Sequence, residues 1–443
     1  MALSSRTIAA YSLPAVAVTF STTLTFAYIA KYATDVLLIA PVTMGLIFGV
    51  SRIWDGFTDP IVGNMSDRTV SKLGRRRPWL FASALPIGLG GLALWSPPEA
   101  LTGTSLVAWF TISFLVYMTS MTIFNVPHMA VGAELTDDYH ARTRLFGFRH
   151  AFSTLGVVGA LLIGVDLLVT SKVPRETAFH LFAFLAVFVA VLVTASAALL
   201  RERAAFLGRG GNRPFKAFMD VLANPHGRLL VMMYFVEHMG TGATSILSPY
   251  ILHYVVGQPE ALSTVYMFYT AAILLTIPVW VRLSRIFGKK RTWLGGMSLA
   301  LVGYSTLFTV GAGELAKMCL VVCFTGAASS CGSTIGPSVQ SDIIDWDELH
   351  TGERKEGAYF ASFTLLQKTS AGIMAMLTGF ALGAAGFVPN EVQSDQTQFW
   401  MRALIGLVPF GCFAFGIAVF SRYRLSEVEH AKIRATLDER SSA

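Results

Sequence analysis

The sequence predicts an all-α membrane protein that crosses the bilayer as twelve helices in two pseudo-symmetric bundles of six. Three features predict this: an apolar composition, the recurrence of runs of bilayer length, and an echo of the first half in the second. Of 443 residues, 53% are hydrophobic, 14% are charged and 32 are Phe, with a mean hydropathy of +0.57. A water-soluble chain of this length has far more polar surface to supply. A helix needs about 20 apolar residues to span a hydrocarbon layer of ~30 Å. Such runs lie near 9–32, 42–63, 78–97, 104–130, 146–169, 178–200, 228–255, 262–283, 292–312, 316–339, 358–384 and 400–421.

Orientation follows from the connections, because Lys and Arg collect in cytoplasmic loops. With the N-terminus inside, the connections predicted to be cytoplasmic hold Arg68, Lys72 and Arg75 to Arg77, then Arg142 and Arg144, then Arg201 to Lys216. The second half repeats the bias with Arg285 and Lys289 to Arg291, then Arg354 and Lys355, and the tail adds Arg422 and Arg424. The opposite loops hold chiefly Lys172, Arg175 and Lys317. The net charge of +7 therefore reads as topology and argues against a nucleic-acid partner. The first apolar run is too long for a cleavable signal peptide and lacks a charged start and a small-residue cleavage site. Cys319, Cys323, Cys331 and Cys412 all fall in predicted spans without metal-ligand spacing.

The longest hydrophilic stretch divides the chain. Residues 1–200 are expected to form the first six-helix bundle, 201–227 a central cytoplasmic loop, 228–422 the second bundle and 423–443 a cytoplasmic tail. Asp59-Pro-Ile-Val, Ser66 and Gly74-Arg-Arg-Arg-Pro-Trp-Leu80 are answered by Ile277-Pro-Val-Trp, Ser284 and Gly288-Lys-Lys-Arg-Thr-Trp-Leu294. Tandem halves of this kind are how many secondary transporters build alternating access around a central site. The echo omits one feature. Asp55 and Asp59 are answered by Ile273 and Ile277, so the repeat's architecture does not require the carboxylates.

That asymmetry points to chemistry. A charge near the bilayer midplane costs about 2.5–3.5 kcal/mol on insertion scales, so intramembrane acids usually face a cavity and handle an ion. Residues four apart stack on one helix face, so Asp55 and Asp59 can converge on one small cation, with Thr58 adding a hydroxyl. These hard oxygen donors suit Na⁺, Li⁺ or H⁺. The competing reading has Arg52 neutralise Asp55 in a buried salt bridge while Asp59 merely caps or kinks the helix at Pro60.

Arg52-Ile-Trp-Asp55, Asp59-Pro60, Gly63 and Gly74-Arg-Arg-Arg-Pro-Trp79 together resemble the glycoside–pentoside–hexuronide cation symporters, the melibiose-permease-like branch of the major facilitator superfamily. Further matches follow in order: Tyr32-Ala-Thr-Asp35, Asn125-Val-Pro127, Arg144 to Arg149, Asp342-Ile-Ile-Asp-Trp-Asp-Glu348, Thr351-Gly-Glu-Arg354, Lys368 and Gly386-Phe-Val-Pro-Asn390. The resemblance covers nearly the whole chain. It implies a major facilitator fold and a bacterial inner-membrane transporter that couples a cation to a solute, with Na⁺ as coupling ion and H⁺ or Li⁺ as alternatives. It also implies a cation site of Asp55, Thr58, Asp59 and Thr122, with Lys368 nearby and Arg149 lining the cavity. An intramembrane Lys needs a counter-charge, and Asp55 and Asp59 are the expected partners of Lys368. No cofactor is implied, the expected state is a monomer, and the expected partners are the lipid bilayer and a small-molecule substrate.

The sugar-binding pattern thins in this chain. Sugar-carrying members typically place an acid in the first span and another in the fourth, where Thr19 and Asn125 stand here, and an aromatic ring where Met129 stands. The Thr58-Asp59-Pro60 form resembles the family's sodium-dependent lysophospholipid transporters. Hydrophobic glycosides, uronides and amphipathic lipids all remain candidates, as does an uncoupled facilitator of the same fold. Glu237, His238 and His128 are expected to face the cavity, since buried polar residues need partners; the alternative for each His is an interhelical hydrogen bond without a ligand role. Arg149 offers a planar fork suited to a uronate or phosphate, or else binds a carbonyl of the fourth span.

The cytoplasmic loops place opposite charges on both halves. Arg52, Asp67, Arg68, Arg75, Glu134, Arg142, Asp342, Asp345, Glu348 and Arg354 are the candidate gating residues. An enzyme is not expected, because no metal triad, nucleotide loop or nucleophile constellation occurs in any loop.

Overall fold

The structure, a computed structural model, describes residues 4–135, 139–200, 202, 219, 221–351, 356–425 and 427–442. The regular elements among these residues are helical. The chain forms two compact units, Met1–Gly211 and Asn212–Ala443.

The first unit runs α1 (Ser5–Ser12), α2 (Pro14–Asp35), α3 (Pro41–Arg68), α4 (Arg77–Trp95), α5 (Gly103–Glu134), α6 (Tyr139–Gly159), a π-helical turn at Ala160–Gly164, α7 (Val165–Val169) and α8 (Pro174–Leu199). Prolines open α2, α3 and α8, where a missing N–H costs nothing and the fixed φ suits a helix start. Ser4 caps α1 by accepting the Thr7 N–H at 3.1 Å. Pro60 lies inside α3, which nevertheless continues to Arg68. Lipid tails give helices no hydrophobic drive to associate, so close packing and interhelical hydrogen bonds hold the bundle. Trp95 illustrates this: its ring stacks on Phe182 at 4.7 Å, its Nε1–H donates to Thr25 Oγ1 at 3.3 Å, and its carbonyl accepts from Tyr32 at 3.0 Å.

The second unit runs α9 (Pro225–Ile251), a π turn at Leu252–Val256, a 3₁₀ turn at Pro259–Ala261, α10 (Leu262–Phe287), α11 (Lys289–Phe308), α12 (Leu315–Thr351), α13 (Glu356–Ala384), α14 (Asp395–Arg402), a π turn at Ala403–Leu407, α15 (Val408–Phe420) and α16 (Glu427–Ser442). Asn224 caps α9, its Oδ1 accepting the N–H of His226 at 2.9 Å and of Gly227 at 3.1 Å. Helix α12 extends well beyond the predicted run 316–339. The acidic segment from Asp342 to Glu348, expected in a loop, is helical, because Val339, Ile343 and Ile344 continue the buried apolar face at helical spacing.

Eight helical stretches among the described residues are long and apolar enough to cross a membrane: Ser5–Asp35, Arg77–Trp95, Gly103–Gly132, Phe148–Val169, Pro174–Leu199, Pro259–Phe287, Leu315–Thr351 and Asp395–Phe420. The other predicted runs coincide with α3, α9, α11 and α13. Three of these carry polar residues of interest: Asp55 and Asp59 in α3, Glu237 and His238 in α9, and Lys368 in α13.

Candidate functional site

Helix α3 presents Asp55, Thr58 and Asp59 on adjoining turns, and α5 packs alongside it. Three contacts fix the pairing. Thr122 Oγ1 donates to Asp59 Oδ1 at 2.8 Å, Trp54 Nε1 donates to Thr119 Oγ1 at 2.8 Å, and Arg52 Nη2 lies 3.7 Å from Met118 Sδ. Asp55 is 4% exposed and Asp59 is half-buried. Thr58 Oγ1 is buried with no hydrogen-bond partner among the described residues. Of the candidate cation-site residues, Asp59 and Thr122 thus meet across the α3–α5 contact, while Thr58 and Asp55 lie one residue and one turn away along α3.

Arg52, expected among the gating residues, makes its contacts within this cluster. Its Nη1 pairs with Asp55 Oδ2 at 3.1 Å, and its guanidinium stands 5.0 Å from the centroid of the Phe26 ring on α2. The pair forms because residues three apart share a helix face. The salt bridge of the competing reading is present, while Asp59 neither ends α3 nor caps it. In the second unit the corresponding helices meet through neutral groups, Thr276 Oγ1 and Ser330 Oγ at 2.6 Å.

The candidate cavity residues separate. Thr19 on α2 and Asn125 on α5 are half-buried, and Met129 on α5 is 44% exposed. His128 does not face a cavity. It is fully buried, its ring stacks between Tyr11 at 4.4 Å and Phe124 at 4.7 Å, and its Nε2 is 3.0 Å from the Tyr11 carbonyl. An imidazole flanked by two rings behaves as an aromatic core residue with one satisfied polar tip. Arg149 on α6 lies within electrostatic reach of Tyr11 and His128, and its buried Nε has no hydrogen-bond partner among the described residues. In the second unit, His238 Nδ1 stands 2.8 Å from the Tyr234 carbonyl one turn earlier, which satisfies it within α9. Glu237 is 7% exposed. Lys368 sits on α13 with its side chain half-buried.

Among the gating candidates, Arg68 is exposed at the end of α3 and Arg75 is buried. Asp342 binds Lys289 within its own unit at 2.6 Å, and His430 of α16 lies 2.9 Å from Asp345 Oδ2. Glu348 is half-buried on α12. Arg354 and the side chains of Asp67, Glu134 and Arg142 lie outside the described residues.

Glu202 was not among the candidates. Its carboxylate accepts the backbone N–H groups of Arg75, Arg76 and Arg77 at 2.7, 2.8 and 2.7 Å, closing the N-terminus of α4 with a negative charge. Gly74 makes room for it: φ is +109°, and a Cβ there would fall 2.7 Å from Glu202 Oε1. The only hint in the sequence was an acid flanked by Arg201 and Arg203. His430 was equally silent, since nothing local links it to acids 85 residues earlier.

The family described as MFS/sugar transport protein matches residues 10–427. The uncharacterized symporter YjmB of Bacillus subtilis is 28% identical over 428 residues, covering 94% of this chain and 91% of that protein. The glucuronide carrier protein homolog of Escherichia coli is 24% identical over 456 residues, covering 99% and 96%. Among solved structures, a bacterial homolog to the human lysosomal transporter Spinster, in an inward-facing and unoccupied conformation, superposes with a TM-score of 0.73 at 13% identity, covering 96% of this chain and 97% of that one. This last likeness shows the fold. The chain therefore belongs to the MFS/sugar transport family, the glycoside–pentoside–hexuronide symporters of the major facilitator superfamily, and is a multi-pass cell-membrane secondary transporter, not an enzyme.

Proposed function

We propose that this protein couples the downhill entry of a cation, Na⁺ in the first instance, to the symport of an anionic sugar-type solute such as a glucuronide. The observation that carries the coupling is the 2.8 Å hydrogen bond from Thr122 on α5 to Asp59 on α3, the helix that also carries Asp55 and Thr58 within one turn. Carboxylates and hydroxyls offer the oxygens that a dehydrated Na⁺ requires. Arg52 competes for Asp55 at 3.1 Å, so the same carboxylate has a counter-charge before the cation arrives. Entry of Na⁺ would release the guanidinium and loosen α3 from Met118 and Phe26, a local change on which alternating access can draw.

The substrate class rests on charge. Thr19 and Asn125 are neutral, so these two positions lack the acids that bind neutral sugar hydroxyls and would repel an anion. Arg149 supplies a cation with an unfilled donor, and Arg suits carboxylate by its planar fork. The name of the glucuronide carrier homolog supports the same class. Twelve spans with both termini cytoplasmic, and a monomer in the bacterial inner membrane, complete the reading.

Uptake of a radiolabelled glucuronide into proteoliposomes tests it. An inward Na⁺ gradient should accelerate uptake by the wild type, Asp59→Asn should abolish the acceleration, and Arg149→Gln should abolish uptake under any gradient. Full Na⁺-driven uptake by Asp59→Asn would overturn the coupling assignment, and undiminished uptake by Arg149→Gln the substrate class.

A further inference from the structure

The second unit holds a buried acid that the cation site does not use. Glu237 lies mid-way along α9 and is 7% exposed. Its Oε2 makes no hydrogen bond among the described residues, and neither does the neighbouring Trp293 Nε1. Both groups face Gly332 of α12, where a Cβ would lie 2.6 Å from Glu237 Oε1 and 3.6 Å from Trp293 Nε1. The carboxyl thus occupies the volume that a side chain at position 332 would fill.

The surroundings say which ligand it can take. Tyr304 of α11 and Cys331 of α12 lie within electrostatic reach of Glu237, and both are buried. Tyr234 precedes it by one turn on α9. Helix α15 meets α9 at Gly240 through Pro409, Cys412 and Phe413, and α13 meets it through Phe363 at Tyr234 and through Ala371 and Met374 at Gly242, carrying Lys368 between those levels. Among the described residues, the groups within reach of Glu237 are Trp293, Tyr304, Cys331 and Tyr234. None carries a positive charge, and an indole N–H is a donor that no metal cation accepts as a ligand. Among the described residues no group of three or more His, Cys, Asp or Glu could hold a metal. A carboxylate without counter-charge in so apolar a place takes up a proton.

We propose that Glu237 is a proton-binding site of the transport cycle, housed in the unit that lacks the Asp55–Asp59 pair. The carboxylate takes one proton from water when its face of the unit is wetted, becoming a neutral acid, and returns that proton to water on the opposite side. Trp293 Nε1 supplies a donor for the carboxylate oxygen while the proton is absent. This site is independent of which cation the first unit takes, and it gives the second unit its own ionic driving force.

Infrared difference spectroscopy on the full-length protein in lipid vesicles, stepped between neutral and acidic pH without Na⁺ or sugar, tests the site directly. The wild type should gain a carboxylic-acid C=O band that Glu237→Gln lacks and Asp59→Asn keeps. Gly332→Ala, which crowds Oε1, should shift that band, and this variant decides the matter should Glu237→Gln fail to fold. Identical difference spectra for wild type, Glu237→Gln and Gly332→Ala would overturn the proposal. In sealed vesicles an inward pH gradient should drive glucuronide uptake by the wild type, and Glu237→Gln should lose this response while still binding Na⁺ in calorimetric titration. Equal pH-driven uptake by both would also overturn it. A wild type that takes up no glucuronide under either gradient contradicts the substrate class alone, and the infrared result still decides the role of Glu237.

Discussion

Thr122 Oγ1 donates a hydrogen bond to Asp59 Oδ1 at 2.8 Å, so the carboxylate that stands in for an isoleucine of the second half is held by a neighbouring helix. The bond spans α3 and α5, which makes Asp59 a joint between two helices as well as a charge. A cation that draws on both residues therefore senses the packing of that helix pair.

Hydrogen bonds to charged groups contribute about 1.5–3 kcal/mol, which is roughly a ten- to hundredfold change in an equilibrium constant. Thr122→Ala should weaken Na⁺ binding by that factor, and Thr122→Ser should retain most of it. Calorimetric Na⁺ titration of the purified protein measures both. Equal affinity in the alanine variant removes Thr122 from the donor set.

Arg52 and Asp55 form a buried ion pair, and removing one partner of such a pair costs about 3–5 kcal/mol. Arg52→Gln should lower the unfolding temperature in Na⁺-free buffer. Na⁺ should recover much of the loss, because the cation then supplies the counter-charge. The stabilisation by NaCl relative to choline chloride at constant ionic strength should be larger in the variant than in the wild type. A smaller response would mean that Na⁺ does not share Asp55 with Arg52.

Glu202 satisfies three backbone donors at the start of α4. Glu202→Ala should destabilise the first unit by about 1.5–3 kcal/mol and speed proteolysis in the segment 69–76. Glu202→Gln keeps acceptor oxygen but loses the charge, so its effect should be smaller. Unchanged cleavage rates in the alanine variant would show that the amides find another partner.

His226, at the N-terminus of α9, packs edge-on against Trp346 at 5.3 Å and Tyr423 at 5.6 Å. Burial pulls its imidazole below the ordinary value of 6.5, Glu429 pushes it up, and His350 lowers it further. The folded state thus binds this proton less readily than the unfolded chain. The contribution to stability is flat above pH 6.5 and turns unfavourable as pH falls below that value. The difference in unfolding temperature between wild type and His226→Asn should be constant at neutral and alkaline pH and shrink on acidification. A difference that grows instead would reverse the sign.

The bilayer made much of the fold legible. A hydrocarbon layer of fixed thickness requires runs of fixed length, and each of the twelve predicted runs coincides with helix in the structure. The Asp55–Asp59 pair was legible because an acid in such a run is costly and because the echoing half has Ile273 and Ile277 instead. Other assignments failed where the deciding partner lies far away in sequence. His128 had the polarity of a cavity residue, yet Tyr11 and Phe124 close over both faces of its ring. Asp342 to Glu348 had the composition of a loop, yet the apolar residues between the acids prolong α12.

By itself the sequence determined that this is a helical membrane transporter, where its apolar helices run, and which carboxylates stand out, since hydropathy, spacing and residue type are local properties. The tertiary structure alone decided which groups those residues meet: Thr122 on Asp59, Arg52 on Asp55, Glu202 on the amides of Arg75 to Arg77, and Glu237 beside Trp293 and Gly332. Such pairings depend on how helices cross, and helix crossing is set by side-chain packing summed over the whole bundle, which no single stretch of sequence contains.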